Sequence, residues 1–560
     1  MNVKVNVISE RKKTGATFTP VLLADFLSKK LLSFFDENNC KIDVLDPSCG
    51  DGSLLLSICK IGHSRIKSII GYDTNEEYLE NARKAILNFD NNLAVDFNNR
   101  DFLTVCPNVF DLFATETRTE FADVVIANPP YIRTQVLGAN KAQQLARDFN
   151  LSGRVDMYYP FLMAMTNALK KGGLLGVITS NRYLTTKSGS DIRKFLLDNF
   201  DIVEVIDLGD TKLFDAAVLP AIFIGRKKGK TGISFSEPLY SSIYESQSDT
   251  QPICGKDNVF EVLDSDSSGV YSVGVTKYLL QKGLLKLHAD RTETWQISNN
   301  QNNSWIDTIH KNTDFYIGDK FKVRVGIKSC ADNVFITQQW EREGCEIEGD
   351  LLKEMISQEN INAWSIDRSS MIKILYPHYS SNNKRKVYDI EKYPSAGKYL
   401  EKHRQQLEGR SYLIKANRRW YEYWVPQNPE LWNLPKVVFP DISPTPRFCF
   451  DESGAIVNGN CYWMCAKDEE EKRLLLLIEG VCNSDVMVKY HDISFNNKLY
   501  SGRRRYLTQY IEKYPVPNPN TEFAQDIIKC VEEINNSSDE GKNTQLKQKI
   551  NVLVGKAFGF

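Results

Sequence analysis

Three things are scarce in this 560-residue chain: long apolar runs, framework-spaced cysteines and net charge. No apolar run approaches the roughly 20 residues that span a bilayer. The polar stretch Met1–Lys13 has no apolar core of the kind a secretory leader needs. The expected location is therefore cytoplasmic. The 12 cysteines are scattered, which argues against a disulfide scaffold and reads as reduced thiols. Cys461 and Cys465 lie close together, but no Cys or His pair stands near them at zinc-ligand spacing, so no metal site is expected. Lys and Arg number 70 against 71 Asp and Glu, a formal net charge of -1. That balance disfavours a purely electrostatic nucleic-acid binder and leaves room for local basic patches. Internal repeats and long low-complexity tracts are also missing. Apolar residues at 42% and charged residues at 25% argue against disorder as the main state. The length implies two or three domains.

From Ile42 to Gly225, short β-rich runs alternate with amphipathic helical runs. The expected strands are Ile42–Asp46, Ser68–Tyr72, Leu93–Asn98, Asp123–Ala127, Leu174–Thr179, Ile202–Asp207 and Leu219–Gly225. Helical stretches fall at Ser53–Ile61, Asn75–Leu87, Met157–Lys170 and Ser190–Leu197, and Val21–Phe35 precedes the sheet. This rhythm predicts an α/β, Rossmann-like, mostly parallel sheet covered on both faces. The short link before Leu219 predicts that the last two strands form an antiparallel pair at one edge. After the basic stretch Arg226–Lys230 the rhythm stops. The expected division is a first domain over 1–230, a connector over 231–315, an α+β domain over 316–520 and a helical tail over 521–560.

Asp46-Pro47-Ser48-Cys49-Gly50-Asp51-Gly52-Ser53 ends the first strand and opens a helix. Gly50 and Gly52 permit a tight turn and close approach of a ligand. A phosphate loop normally excludes acids; this one carries Asp46 and Asp51, which suits a cationic, amine-bearing ligand such as S-adenosylmethionine. Asp73 ends the second strand, where an acid can bind both hydroxyls of a ribose. Asp101 follows the third strand, placed to accept from a cofactor adenine amine, and Phe102 can cover that ring. Taken singly, the glycine turn is a tight connection and Asp73 an N-cap. Three acids at the ends of successive strands form the more specific pattern.

The fourth strand runs straight into Asn128-Pro129-Pro130-Tyr131. The prolines remove backbone donors and stiffen an extended turn. The Asn128 amide oxygen and the Pro129 carbonyl can then accept both N–H bonds of a planar amine and stabilise the positive charge that develops on it. Tyr131 offers a flat face to an extracted base. The competing reading is a rigid turn with a core tyrosine.

These residues, in this order, resemble the gamma-class, TaqI-like DNA adenine methyltransferases of restriction–modification systems. The resemblance covers the first 230 residues, with Thr14–Pro20 as the segment that closes over the cofactor and Asp156–Tyr159 and Gly172–Ser180 as the next helix and strand. It implies a class I methyltransferase sheet of seven strands and S-adenosylmethionine held by Thr19, Asp46, Ser48, Gly50, Gly52, Asp73, Asp101, Phe102 and Asn128. It also implies catalysis at Asn128, Pro129, Pro130 and Tyr131, with Phe214 as a second aromatic against a flipped adenine. Asp73 stands where many relatives have Glu.

The second half is rich in Arg, aromatics and Asn and resembles, more loosely, a target-recognition domain. Arg418, Arg419, Arg503, Arg504 and Arg505 are the expected contacts to double-stranded DNA, against the plainer reading of solvated surface arginines. Other readings are methylation of RNA, of a protein amide or of cytosine, a fused nuclease, and a non-catalytic DNA specificity protein. A large second half counts against the RNA and protein substrates. A fused nuclease would normally precede Thr14, and a dead site would not need Asp46–Gly52 and Asn128–Tyr131. A separately encoded restriction endonuclease or defence subunit is the expected companion.

Overall fold

The computed structural model describes residues 18–560 except 36–40, 107–117, 132–142, 146, 148, 150–155, 215–218, 230–236, 247–249, 288–289, 299, 338–339, 341–346, 383, 496–498 and 500–501. Thr14–Thr17, Lys230 and Ser501, singled out in the sequence, lie outside the described residues. The chain divides into two compact units, Met1–Asn300 with Leu499–Gly502 and Gln301–Lys498 with Arg503–Phe560. Among the described residues no helix is long and apolar enough to cross a membrane, and no group of His, Cys, Asp and Glu is arranged to hold a metal ion.

The first unit is built on a 12-stranded sheet. Its elements run α1 (Val21–Ser33), β1 (Ile42–Asp46), α2 (Ser53–Gly62), β2 (Ile66–Asp73), α3 (Glu76–Phe89), β3 (Ala94–Asn99), α4 (Phe102–Val105), β4 (Ala122–Ala127), α5 (Tyr158–Ala168), β5 (Leu169–Ser180), α6 (Ser190–Asn199), β6 (Phe200–Asp207) and β7 (Pro220–Lys227). All five residues of β1 are buried, as expected for a strand with parallel neighbours, β2 and β4, on both sides. Successive side chains leave opposite faces: Val44 packs with Leu27, Leu31 and Ile58, while Leu45 packs with Val125, Leu162 and Met165. Burying a leucine such as Leu31 fully contributes about 1.5–3 kcal/mol. The helices are started by short polar caps; Asn75 Oδ1, for example, accepts from Tyr78 N at 3.1 Å to open α3. At the start of α2, Gly52 has φ of 81°, and a Cβ there would lie 2.7 Å from the Ala82 methyl of α3. Only glycine allows both the turn and the helix packing.

The sheet corrects one expectation. Strands β6 and β7 are antiparallel, but they do not form an edge. The order is β3-β2-β1-β4-β5-β7-β6, with β7 inserted antiparallel between β5 and β6, and the sheet then continues. The stretch read as a connector supplies β8 (Leu239–Glu245), β9 (Gly255–Lys256), β10 (Gly269–Val273), β11 (Thr276–Lys286) and β12 (Gln296–Ser298). β8 pairs in parallel with β6 and antiparallel with β11. Its core is Tyr-Ser-Ser-Ile-Tyr, with Ser241 and Ser242 buried, so it lacks the continuous apolar signature of the earlier strands. The earlier rhythm is not repeated here: the helix that links the parallel strands β9 and β10, Val259–Leu263, has only five residues, and β10 and β11 form an antiparallel hairpin.

The second unit is α+β. Its main sheet joins Arg324–Val325, Cys461–Cys465, Lys436–Pro440 and Cys449–Asp451. Lys436 and Asp451 form a fully buried ion pair at 2.9 Å between two of these strands. The helical tail is not separate: Ile527 and Val531 of Glu522–Asn535 and Val554 of Glu540–Ala557 pack with Leu475 and Ile478 of Glu469–Cys482 in one core.

Candidate active site

Strands β1, β2, β4, β5 and β6 point the same way, so their carboxyl ends share one edge of the sheet. Ligands bind at that edge in open α/β sheets. Asp46 ends β1 and is buried, with Oδ1 accepting from Ser48 N at 3.0 Å. Burial pushes the Asp46 carboxyl up to about 8; the Ser48 N–H opposes this, and the Asp73 and Asp51 charges add to it. Asp73 ends β2 and bridges two turns: Oδ2 accepts from Gly50 N at 2.9 Å and Oδ1 from Asn75 N at 2.8 Å. Each oxygen keeps a second lone pair for a ligand hydroxyl. Gly50 lies in the left-handed region at φ of 53°, where the Phe18 ring would meet a Cβ at 3.7 Å. Phe18 in turn packs edge-on to Tyr78, so the chain before α1 covers the loop.

This loop fits S-adenosylmethionine on its own chemistry. The crowded acids favour a cation, the glycine turn admits close approach, and the buried Ser48 hydroxyl has no partner among the described residues. Asp101 caps α4 by accepting from Leu103 N at 3.1 Å. Phe102 is 1% exposed and packs on Tyr72 at 5.2 Å, so its ring serves the core behind the site.

At the end of β4, Asn128 Nδ2 donates to Thr19 Oγ1 at 3.1 Å. Because the nitrogen faces the threonine, the carbonyl oxygen faces the other way. Pro129 is buried and Pro130 half-buried, which fixes the turn. Tyr131 is half-buried and its ring centroid lies 6.2 Å from that of Phe214, with the planes at 59°. Its hydroxyl is buried without a partner among the described residues, and burial pushes its pKa well above the usual tyrosine range. The structure thus brings Thr19, Asn128, Tyr131 and Phe214 together around one turn.

Sequence reasoning missed a second layer. Asp207, at the end of β6, accepts from Tyr244 Oη at 2.7 Å, Asn181 Nδ2 at 3.0 Å and Gly209 N at 3.0 Å. Burial pushes its carboxyl above the usual carboxylate pKa, and these donors oppose the shift. The strap from Leu208 to Phe214 is tied further: Leu208 N donates to Pro220 O at 2.9 Å, Asp210 Oδ1 accepts from Glu245 N at 2.7 Å, and Lys212 pairs with Glu245 at 3.6 Å. Tyr244 and Glu245 both belong to β8. The acid at the end of a strand was a usable signal for Asp207; nothing in the sequence marks Tyr244.

Comparison with known proteins decides the family. The type II methyltransferase M.BanIII of Aneurinibacillus aneurinilyticus is 44% identical over 571 residues, covering 99% of this chain and 98% of its own length. The chain belongs to the type II restriction–modification DNA methyltransferases. Residues 52–214 match the Eco57I restriction-modification methylase family, and residues 6–93 match the rRNA methyltransferase AviRa, a match that ends before Asn128. M.BstVI of Geobacillus stearothermophilus is 22% identical and covers 90% of each chain. Among solved structures, a nuclease-deletion mutant of the Type ISP restriction-modification enzyme LlaGI, in complex with a DNA substrate mimic, shares the fold. Its TM-score is 0.53 at 12% identity, over 93% of this chain and 54% of that one. S-adenosylmethionine is the cofactor of this methyltransferase.

In the second unit of the methyltransferase, the expected DNA-contacting arginines fall into different environments. Arg418 donates to Tyr423 O at 2.8 Å and Trp424 O at 2.7 Å. Arg419 bonds Tyr421 Oη at 2.6 Å and pairs with Asp389 at 3.6 Å. Arg504 grips Asp492 through Nε at 2.6 Å and Nη2 at 2.8 Å and also bonds Pro444 O. Arg503 and Arg505 are exposed.

Proposed function

We propose that the protein methylates the exocyclic N6 amine of adenine, in double-stranded DNA, with the base turned out of the helix. The observation that carries this reading is the Asn128–Tyr131 turn, with Asn128 oriented by Thr19 and Tyr131 facing Phe214. The adenine amine is a weak nucleophile because its lone pair is delocalised into the ring. The Asn128 oxygen and the Pro129 carbonyl accept its two N–H bonds, hold the nitrogen towards a tetrahedral shape and stabilise the charge that develops there. Tyr131 takes the base on its face, and Phe214, tilted at 59°, meets the other side or its edge. S-adenosylmethionine supplies an electrophilic methyl group on a sulfonium. Asp46 and Asp73 bind the amine and ribose ends of the cofactor, with Ser48, Gly50 and Gly52 forming the floor and Phe18 to Thr19 the cover. The rate gain comes from placement and fixed dipoles. A separately encoded endonuclease of matching specificity is the companion this activity would guard against.

The test is single-molecule sequencing of DNA from cells that express the wild type or Asn128→Ala. N6-methyladenine at one short sequence, present only with the wild type, is the expected result. N4-methylcytosine, or no modified base, overturns the adenine assignment.

A further inference from the structure

In the second unit a cavity of about 450 Å³ is lined by Arg385, Arg418, Trp424, Gln427 and Asn428, among others. Several independent features meet there. Trp424 is 42% exposed, whereas every other tryptophan among the described residues is buried or half-buried. Its ring is fixed rather than loose: the Arg418 guanidinium lies 5.3 Å from its centroid and Tyr412 meets it edge-on at 5.1 Å. Tyr412 is itself exposed. A rigid, exposed aromatic patch contributes little to folding and much to binding.

The local charge is positive in a chain whose formal net charge is -1. The hairpin strand Lys384–Val387, read Lys-Arg-Lys-Val, brings Arg385 to the cavity, with Lys415, Arg418 and Arg419 on the neighbouring segment. The nearby acids are engaged elsewhere: Glu430 accepts from Ser380, Glu422 from Arg419 N, and Asp389 pairs with Arg419. Among the described residues the Arg385 guanidinium makes no hydrogen bond or ion pair. Gln427, at the cavity, has φ of 61°, a left-handed conformation that a side chain of its size rarely adopts. Such strain persists where the surroundings enforce it and gathers at binding sites. Gln427 Nε2 donates to Val325 O at 2.6 Å, leaving the amide oxygen as an acceptor for a ligand.

We propose that this cavity is a DNA-contacting subsite of the methyltransferase, in which Arg385 and Trp424 touch the duplex and Arg418 positions Trp424. The proposal rests on double-stranded DNA as substrate. It revises the role of Arg418: its guanidinium holds the 423–424 backbone and the indole, and the direct contact falls to Arg385. Arg385 supplies charge to a phosphate or a fork to a base edge, and Trp424 packs against sugar and base. Both side chains are exposed, so their removal leaves the core intact.

The experiment measures duplex binding by fluorescence anisotropy across a salt series, for the full-length wild type, Arg385→Ala and Trp424→Ala. One duplex carries the sequence that the wild type methylates in cells, and a second is of random sequence. We expect Trp424→Ala to weaken binding by at least about tenfold. Arg385→Ala should lower the slope of log affinity against log salt by about one. S-adenosylmethionine binding and the melting temperature should match the wild type in both. Wild-type affinity and salt slope in both variants, with the same methylated sequence, overturn the subsite. Failure of the parent reading looks different: the wild type itself would methylate no adenine, and the random duplex would still report on Arg385 and Trp424.

Discussion

The two units hold their polar groups in opposite ways. In the sheet unit the key groups sit at the ends of buried strands and are fixed by backbone amides: Asp46 by Ser48 N, Asp73 by Gly50 N and Asn75 N, Asp207 by Gly209 N. In the second unit the basic groups are long side chains, and several are turned inward. Arg504 is locked on Asp492, and Arg410 is buried and bonds the Ser329, Glu422 and Trp420 carbonyls. Where a group's place follows from the backbone, its chemistry follows from its position. Where it hangs on a flexible stem, its role depends on which partner reaches it first.

The largest effect is expected where backbone placement is tightest. On the proposed reading, Asn128→Ala removes one of the two acceptors for the amine and should lower kcat by about 100- to 1,000-fold. Cofactor affinity should change little, because Asp46 and Asp73 are held independently of Asn128. Stopped-flow or rapid-quench methylation and equilibrium cofactor binding separate the two. A proportional loss of both would mean that the Asn128 turn shapes the cofactor loop, which breaks the comparison.

Next comes Asp46. With its carboxyl pushed up to about 8 by burial, it is largely protonated at neutral pH in the cofactor-free protein. A bound cation favours the ionised form, so binding should release a proton and tighten as pH rises towards 8, by up to about tenfold per unit. The same shift has the opposite sign for the cofactor-free fold: a raised carboxyl stabilises it at low pH, and that contribution is lost as pH rises through about 8. Asp46→Asn should flatten the pH dependence and cost about ten- to hundredfold in affinity. Calorimetry in buffers of different ionisation enthalpy reads the proton directly. Proton uptake on binding would sink the assignment.

The second unit gives a paired test. Arg504→Ala removes the two guanidinium bonds to Asp492 in a mostly buried place and should destabilise the unit by about 2–3 kcal/mol. Arg503→Ala, an exposed neighbour, should leave the melting temperature unchanged and weaken DNA binding about two- to fivefold. Thermal unfolding beside anisotropy distinguishes them. If Arg504→Ala lost DNA affinity at wild-type stability, the inward-turned arginines would be DNA contacts after all.

Much of the sheet was legible because its signals are backbone signals. Strand β1 falls at Ile42–Asp46 as expected, and the helix after Gly52 starts at Ser53. Glycines, prolines and buried apolar runs state their conformational needs directly. The turn at Asn128–Tyr131 follows from the same grammar, whereas Phe214 was reached only through the family resemblance, because no glycine, proline or apolar run fixes the length of its loop. Strand β8 was not legible, because buried serines and an antiparallel partner remove the apolar run that marks a parallel strand. The Asp207–Tyr244 contact depends on that hidden strand. Arginine roles were not legible for another reason: Asp492 lies 12 residues before Arg504, and the 423–424 carbonyls lie 5 and 6 residues after Arg418 in an irregular stretch, and no regular spacing announces either.

The smallest expected effect tests whether that hidden strand matters for catalysis. Tyr244→Phe keeps the ring and removes one donor to Asp207, leaving Asn181 and Gly209 N in place. A single lost hydrogen bond of this kind is worth about 1 kcal/mol, or about fivefold. If β8 only completes the sheet, that loss should appear as stability alone, with kcat and KM unchanged. If the bond steadies the strap that carries Phe214, kcat should fall about fivefold at unchanged cofactor affinity. 2-Aminopurine at the target position would then fluoresce more strongly in the variant, because a looser Phe214 quenches the base less. Asn181→Ala should move the same readouts in the same direction, since it removes another donor to the same carboxylate. Agreement between the two variants, which approach Asp207 from β8 and from the end of β5, would place the second layer in the reaction rather than only in the fold.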